Sequence, residues 1–284
     1  MDDKGTLYVV ATPIGNLGDI SGRAIEVLRS VSKIAAEDTR HSKKLMQAIG
    51  VDTALLSYHE FSSKGASNRI IAALDAGESV ALISDAGTPL ISDPGDKLVN
   101  QARALGLCVL PIPGASAVTA ALSVAGLPTD RFVFEGFLPS KTAARQARMR
   151  ALADEPRSLV FYESTHRIVA SVKDMQESFG SGRLLFVARE ITKKFETHFL
   201  GSAKDCLNWL QQDSNQCKGE FVVIVAGCSA LELQAHKLQR AIELVTTLRR
   251  DVSMKRAVVI ASELTGASKN QLYSAILEDK GSSE

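Results

Sequence analysis

The run "SVALIS", Ser79 to Ser84, constrains the fold more than any other stretch, because it is short, nearly all apolar and broken at once by "DAGTP", Asp85 to Pro89. An apolar segment of this length without polar alternation is a strand covered on both faces, which belongs inside a parallel sheet. Gly87 admits unusual φ and Pro89 has no amide for a ladder, so the strand stops and a loop opens at its carboxyl end. Those ends line the ligand crevice of open α/β sheets. The following "LISDPG" extends the turn chemistry, making the loop a binding-site candidate; the plainer reading is a tight turn capping the next helix.

The same grammar repeats along the chain. "TLYVVAT", "KIAAE", "SVALIS" and "LCVLPI" read as strands, and "GRAIEVLRSV", "RHSKKLMQAIG", "NRIIAALDAG" and "GDKLVNQARALG" as helices between or after them, with a polar segment near "HEFSSKGAS". A βα series of this kind predicts a parallel sheet. From Arg131 the pattern begins again: the strands "RFVFEGF", "SLVFYES", "RLLFVARE", "ETHFLGS" and "GEFVVIVAG" are interleaved with helices, the first of them the basic "KTAARQARMRALAD". Past Cys228 the chain lacks Pro and turns helical throughout; Gly266 ends one helix, and Ser268 with Gln271 offers a capping box for the next. The expected organisation is an N-terminal α/β domain over 1–123, a second α/β domain over 124–229 and a helix-turn-helix-like domain over 230–284.

Charge and cysteine usage remove several classes. A formal net charge of +1 in 284 residues gives no global basic field, so any polyanion must be held by local patches. The four cysteines, Cys108, Cys206, Cys217 and Cys228, show neither CxxC spacing nor a histidine pair, which argues against zinc and a disulfide framework. Reduced thiols, with no export signal in "MDDKGTLYVV" and no membrane-length apolar run, predict a cytosolic protein.

Several polar clusters stand at strand ends. "PIGNLGD" has Gly15 and Gly18 without dinucleotide-fingerprint spacing. "AAEDTRHS" gathers Glu37, Asp38, Arg40 and His41, which can position a substrate or take a proton; they also fit a salt-bridged helix start capped by Asp38 or Thr39. "YESTHR", "ARE" and "KGE" read either way, and no nucleophile elbow or metal-ligand pattern appears. On residue types alone, the reaction stays open.

In order, "ATPIGNLGDIS", "AAEDTRHS", "LISDAGTPLISDPG", "PIPGASA", "DRFVFEGFLP", "FYESTHR", "ARE" and "KGE" resemble the tetrapyrrole-methylase superfamily. Within it the set looks like the ribosomal small-subunit RNA 2′-O-ribose methyltransferase I family. The likeness runs from about Thr6 to Gly227, and the C-terminal helices look like that family's helix-turn-helix domain. Gly-Asn-Leu-Gly-Asp in place of a GxGPGD-type loop, together with "EDTRH", favours the ribose-methylating branch over tetrapyrrole or diphthine relatives.

The resemblance implies S-adenosylmethionine in the cleft between two α/β domains, 16S rRNA of the small ribosomal subunit as substrate, a cytidine 2′-hydroxyl as acceptor, and a homodimer. Asp85, Ala86, Gly87, Thr88 and Ile91 match the cofactor loop, Ser116 and Ala117 the second loop, and Tyr162 and Glu163 the third. Ile191 and Gly219 border the adenosine side, and Leu17 matches the first loop. For the chemistry, Glu37, Asp38 and Glu190 are candidate bases and Arg40 an orienting cation, with no metal required. For RNA phosphates, Lys141, Arg145, Arg148 and Arg150 lie at helical spacing, and Arg249, Arg250, Lys255, Arg256 and Lys269 supply a second patch. A methyltransferase of the same fold acting on a tetrapyrrole or protein, and a non-enzymatic RNA-binding protein, are the alternatives.

Overall fold

The computed structural model describes residues 4–59 and 64–281, which leaves part of the "HEFSSKGAS" segment and both extreme termini outside the described residues. The first body contains β1 (Thr6–Val10), α1 (Gly22–Ser30), β2 (Lys33–Ala36), α2 (Thr39–Ile49), β3 (Leu55–Ser57), α3 (Lys64–Asp75), β4 (Val80–Ile83), α4 (Asp96–Ala104) and β5 (Cys108–Ile112). Its five strands pair in parallel in the order β3-β2-β4-β1-β5. Every residue of β4 is buried. Val80 and Leu82 pack into the cluster on one face, with Leu7, Ile70, Leu74 and Leu98; Ala81 and Ile83 pack into the other, with Leu28, Ile34 and Met46. That two-sided burial is why "SVALIS" carries no polar alternation.

The second body holds α5 (Ala117–Val124), β6 (Phe132–Phe137), α6 (Thr142–Ala151), β7 (Ser158–Ser164), α7 (Ile168–Phe179), β8 (Leu184–Arg189), β9 (Thr197–Ser202), α8 (Ala203–Gln212) and β10 (Glu220–Val225). Its sheet runs β6-β7-β10-β8-β9, and only β6 and β7 pair in parallel. One face is covered by α6, α7 and α8 around Met149, Phe161, Val172, Met175 and Leu210. The other packs Val160, Phe186, Val222 and Ile224 against Val118, Ala121 and Leu122 of α5. By packing, α5 therefore belongs to the second sheet, and the first body ends near Ser116 rather than at the expected residue 123.

The C-terminal helices α9 (Ala230–Leu248), α10 (Met254–Thr265) and α11 (Lys269–Gly281) enclose their own core of Ala241, Val245, Val258, Ala261, Leu272 and Ile276. Ser229 and Glu232 form a capping box on α9, and Gly266 closes α10 in the left-handed region at φ 70°. Side chains of α9 tie this unit to the second body: His236 Nδ1 lies 2.8 Å from Asp154 Oδ1, Arg240 pairs with the other Asp154 oxygen, and Glu232 pairs with Arg183. Cys228 lies beside this junction, its potential ligand atom within 4.8 Å of those of Asp154 and His236, a grouping that sequence spacing does not predict. Both Asp154 oxygens are already engaged by His236 and Arg240. Among the described residues no helix is long and apolar enough to cross a membrane.

Candidate functional site

The central strands β1 and β4 release their loops side by side, and the loops are tied together by a two-residue bridge. Thr12 donates its amide to the Gly87 carbonyl at 2.8 Å, and Gly87 donates back to the Thr12 carbonyl at 3.1 Å. Thr88 Oγ1 fastens the same loop to the Ala115 carbonyl at 3.1 Å, just before α5. Gly87 stands at φ +82°, and a Cβ there would come within 3.2 Å of Ile14 Cγ2, so both torsion and space select glycine.

This pinned loop forms one side of a cavity of about 340 Å³ between the two bodies, a size suited to a small organic ligand. The first body contributes Ile14, Glu37, Asp85, Ala86, Gly87, Thr88, Ile91, Ser92 and Asp93, and the stretch into α5 adds Ser116 and Ala117. From the second sheet come Phe137, Tyr162, Glu163, Ser164, Ala188, Ile191, Lys193 and the start of β10. The two loops richest in backbone strain meet here: among the described residues, Leu90 and Ser92 after β4, and Glu190 and Thr192 after β8, are the non-glycine residues with positive φ. Such conformations persist where surrounding structure over-determines them, commonly at ligand sites.

The electrostatics of the cavity follow from crowded carboxylates. Burial, with the charge of Asp85 adding to it, raises the pKa of Glu37. Burial also pushes Asp93 up to about 6, reinforced by Glu37 and Asp85 and opposed by a hydrogen bond from Ser84. Tyr162 is pushed up to about 12, chiefly by burial, and keeps its proton at neutral pH. Glu163 is buried at the cavity's edge, where it accepts from the Ser171 hydroxyl at 2.5 Å and the Ser164 amide at 2.9 Å and pairs with Arg167 at 3.0 Å.

Of the residues the resemblance placed on the cofactor, Asp85, Ala86, Gly87, Thr88, Ile91, Ser116, Ala117, Tyr162, Glu163 and Ile191 all line the cavity. Leu17 does not; it is 54% exposed in a short 3-10 turn. Gly219 also stays off the wall. It stands at φ +105°, a conformation that favours glycine, and a Cβ there would fall 2.5 Å from the Glu190 side chain.

Among the catalytic candidates only Glu37 borders the cavity. Asp38 caps α2 by accepting the Arg40 amide at 2.8 Å and pairs with the Arg40 guanidinium at 2.9 Å, an exposed arrangement whose hydrogen bonds lower Asp38 to about 2. Glu190 is occupied by Lys193 at 2.9 Å and the Glu220 amide at 2.9 Å. Arg145 requires a correction as an RNA contact: it is buried and donates to Asp174 at 2.6 Å, because its face of α6 packs on α7. Arg148 is exposed but pairs with Glu135 through both Nε and Nη2; Lys141 and Arg150 are exposed as well, as are Arg249, Arg250, Lys255, Arg256 and Lys269. Sequence reasoning passed over Asp93, Ile14, Phe137 and Lys193. Asp93 stands within "LISDAGTPLISDPG", and the Pro94-Gly95 turn that follows it directly is the available signal.

Two parallel-to-mixed sheets with a cleft between them and a loop-built cavity define the class. Residues 6–206 match the model of the Tetrapyrrole (Corrin/Porphyrin) Methylases, and residues 238–280 match the RsmI C-terminal HTH domain. Solved structures share the fold: uroporphyrin-III-C-methyltransferase from Thermus thermophilus has TM-score 0.55 and 20% identity, covering 78% of this chain and 94% of its own. A diphthine synthase has TM-score 0.60 and 15% identity, covering 79% and 90%.

The particular family follows from closer relatives. Ribosomal RNA small subunit methyltransferase I of Pseudomonas aeruginosa is 51% identical, over 98% of this chain and 99% of its own, and its namesake in Escherichia coli O157:H7 is 44% identical over 99% and 97%. The chain belongs to the ribosomal RNA small subunit methyltransferase I family within the tetrapyrrole methylases.

Proposed function

We propose that the protein transfers the methyl group of S-adenosylmethionine to the 2′-hydroxyl of a cytidine in 16S rRNA of the small ribosomal subunit, acting in the cytoplasm as a homodimer. The observation that carries this reading is the convergence of Glu37, Asp85 and Asp93 on a cavity whose wall also holds Ile14, Ile91, Tyr162 and Ile191. Carboxylates and apolar side chains together in one cavity complement a cationic sulfonium joined to a flat adenosine. The loop 85–88, Ser116, Ala117, Tyr162 and Ile191 would hold it, and when bound it supplies an electrophilic methyl group. The amide and carbonyl of Gly87 are both engaged by Thr12, which fixes the loop's backbone against the cavity.

The chain's own contribution is orientation and proton management. A ribose hydroxyl is a weak nucleophile, and a carboxylate that accepts its proton as the new bond forms accelerates the step. Glu37 and Asp93 meet that need: both face the cavity, and both hold a proton more tightly than ordinary carboxyls. Tyr162 remains a neutral hydrogen-bond donor. Lys141, Arg150 and the exposed cations of the C-terminal helices supply phosphate contacts that position the particle without reading sequence. Tritium-methyl transfer to small subunits lacking the modification, run beside a tetrapyrrole acceptor, tests the substrate. Label in the rRNA supports the reading, and label only in the tetrapyrrole overturns it.

A further inference from the structure

We propose that Phe137 is the platform on which the base of the target nucleotide stacks, a positioning role that rests on the cavity being an RNA ribose-methylation site. Phe137 lines the cavity and is nevertheless 54% exposed. Its placement is built by the backbone. Pairing of β6 with β7 slips between Phe134 and Gly136, which leaves Glu135 as an extra residue. A bulge of this kind bends a strand and re-aims the side chains that follow. Gly136 takes φ +65°, and a Cβ there would lie 2.9 Å from Ser92 Oγ, so the turn is made against the loop after β4.

The ring is also braced. Tyr162 contacts it at 5.5 Å between centroids, tilted by 60°, and the Arg167 guanidinium carbon lies 6.0 Å from its centroid. Arg167 is fixed in turn: Nη1 donates to the Leu138 carbonyl at 2.9 Å, and Nε pairs with buried Glu163 at 3.0 Å. A lone exposed phenylalanine on a surface needs no explanation. One held rigid at a cavity wall by a bulge, an aromatic neighbour and an arginine anchored on a buried carboxylate is prepared for a flat ligand.

Two flat groups compete for the assignment, the adenine of the cofactor and the base of the acceptor nucleotide. Exposure decides for the base. A bound small molecule buries most of its surface in its pocket, whereas a nucleotide entering from a large particle first meets the open part of the wall. Proteins hold unstacked RNA bases on aromatic rings and arginine planes, and enzymes that act within a stacked strand must first draw the nucleotide out.

The test uses the full chain, small subunits lacking the modification, and the variants Phe137→Leu and Phe137→Trp. Leucine fills space without a π face, so the KM for particles and the Kd for particles in the presence of S-adenosylhomocysteine should rise roughly tenfold. S-adenosylmethionine affinity by calorimetry should stay at the wild-type value, and tryptophan should restore particle binding. Wild-type KM in Phe137→Leu overturns the proposal, as does a loss of S-adenosylmethionine affinity that matches the loss for particles, which would assign the ring to adenine. Wild-type protein that methylates no small subunit removes the underlying reading; one that does, beside an indistinguishable Phe137→Leu, removes the stacking role alone.

Discussion

Gly87 carries two constraints at once, a left-handed backbone and an interlocked bridge with Thr12. Gly87→Val should therefore abolish S-adenosylmethionine binding in calorimetry while circular dichroism stays native; retained affinity in the folded variant would take the loop out of the site. The carboxylates separate by a different experiment. A general base contributes roughly a hundredfold to ten-thousandfold, so Glu37→Gln or Asp93→Asn should lower the single-turnover rate on that scale for whichever residue takes the proton. With Asp93 raised to about 6, a base at that position is protonated and lost as pH falls through 6, so the wild-type rate should drop on the acid side. Asp93→Asn should abolish that limb; an unchanged profile would assign the titration elsewhere. Asp38→Ala, by contrast, should cost thermal stability through the lost cap and leave the rate unchanged. At this scale the cavity-lining loop was legible from "LISDAGTPLISDPG", because fixed backbone leaves a signature of Gly and Pro. The division of labour inside "AAEDTRHS" was not, because adjacent carboxylates differ only in which way the chain turns at the start of α2.

The elements show where periodicity stops being informative. Lys141 at the N-cap of α6 shares a stripe with Arg145 and Arg148, but Arg145 also precedes buried Met149 by one turn, and that side faces α7. Spacing gave a face without its direction. Removing one partner of a buried ion pair costs about 3–5 kcal/mol, so Arg145→Ala should lower the melting temperature markedly by stranding Asp174. The double variant Lys141→Ala, Arg150→Ala should keep its melting temperature and weaken particle binding; the opposite pattern would reverse the assignment. Strand β3 escaped sequence reading because it has three residues and only two of them are apolar. The antiparallel pairing in the second sheet was equally hidden. Only β6 and β7 follow the parallel pattern, while β8 turns directly into β9 across a short loop and β10 inserts between β7 and β8.

For the whole molecule, a net charge of +1 leaves polyanion binding to local patches. The C-terminal helices fit that need, with a separate apolar core and exposed Lys255, Arg256 and Lys269, joined to the second body through Asp154, His236 and Arg240. Reversing those three cations to Glu should weaken binding to small subunits and flatten its dependence on salt, with S-adenosylmethionine affinity intact. Unchanged particle affinity would make the helical unit a packing module. The alternation of apolar runs and turn clusters made the two-body plan readable, but α5 crosses to the second sheet because Val118, Ala121 and Leu122 find their partners there.

The most direct test is nucleoside mass spectrometry of 16S rRNA after small subunits lacking the modification are incubated with the protein and S-adenosylmethionine. A stoichiometric gain of 2′-O-methylcytidine, lost with Gly87→Val, is the expected result; methylation on a base, or none in the rRNA, would contradict the account.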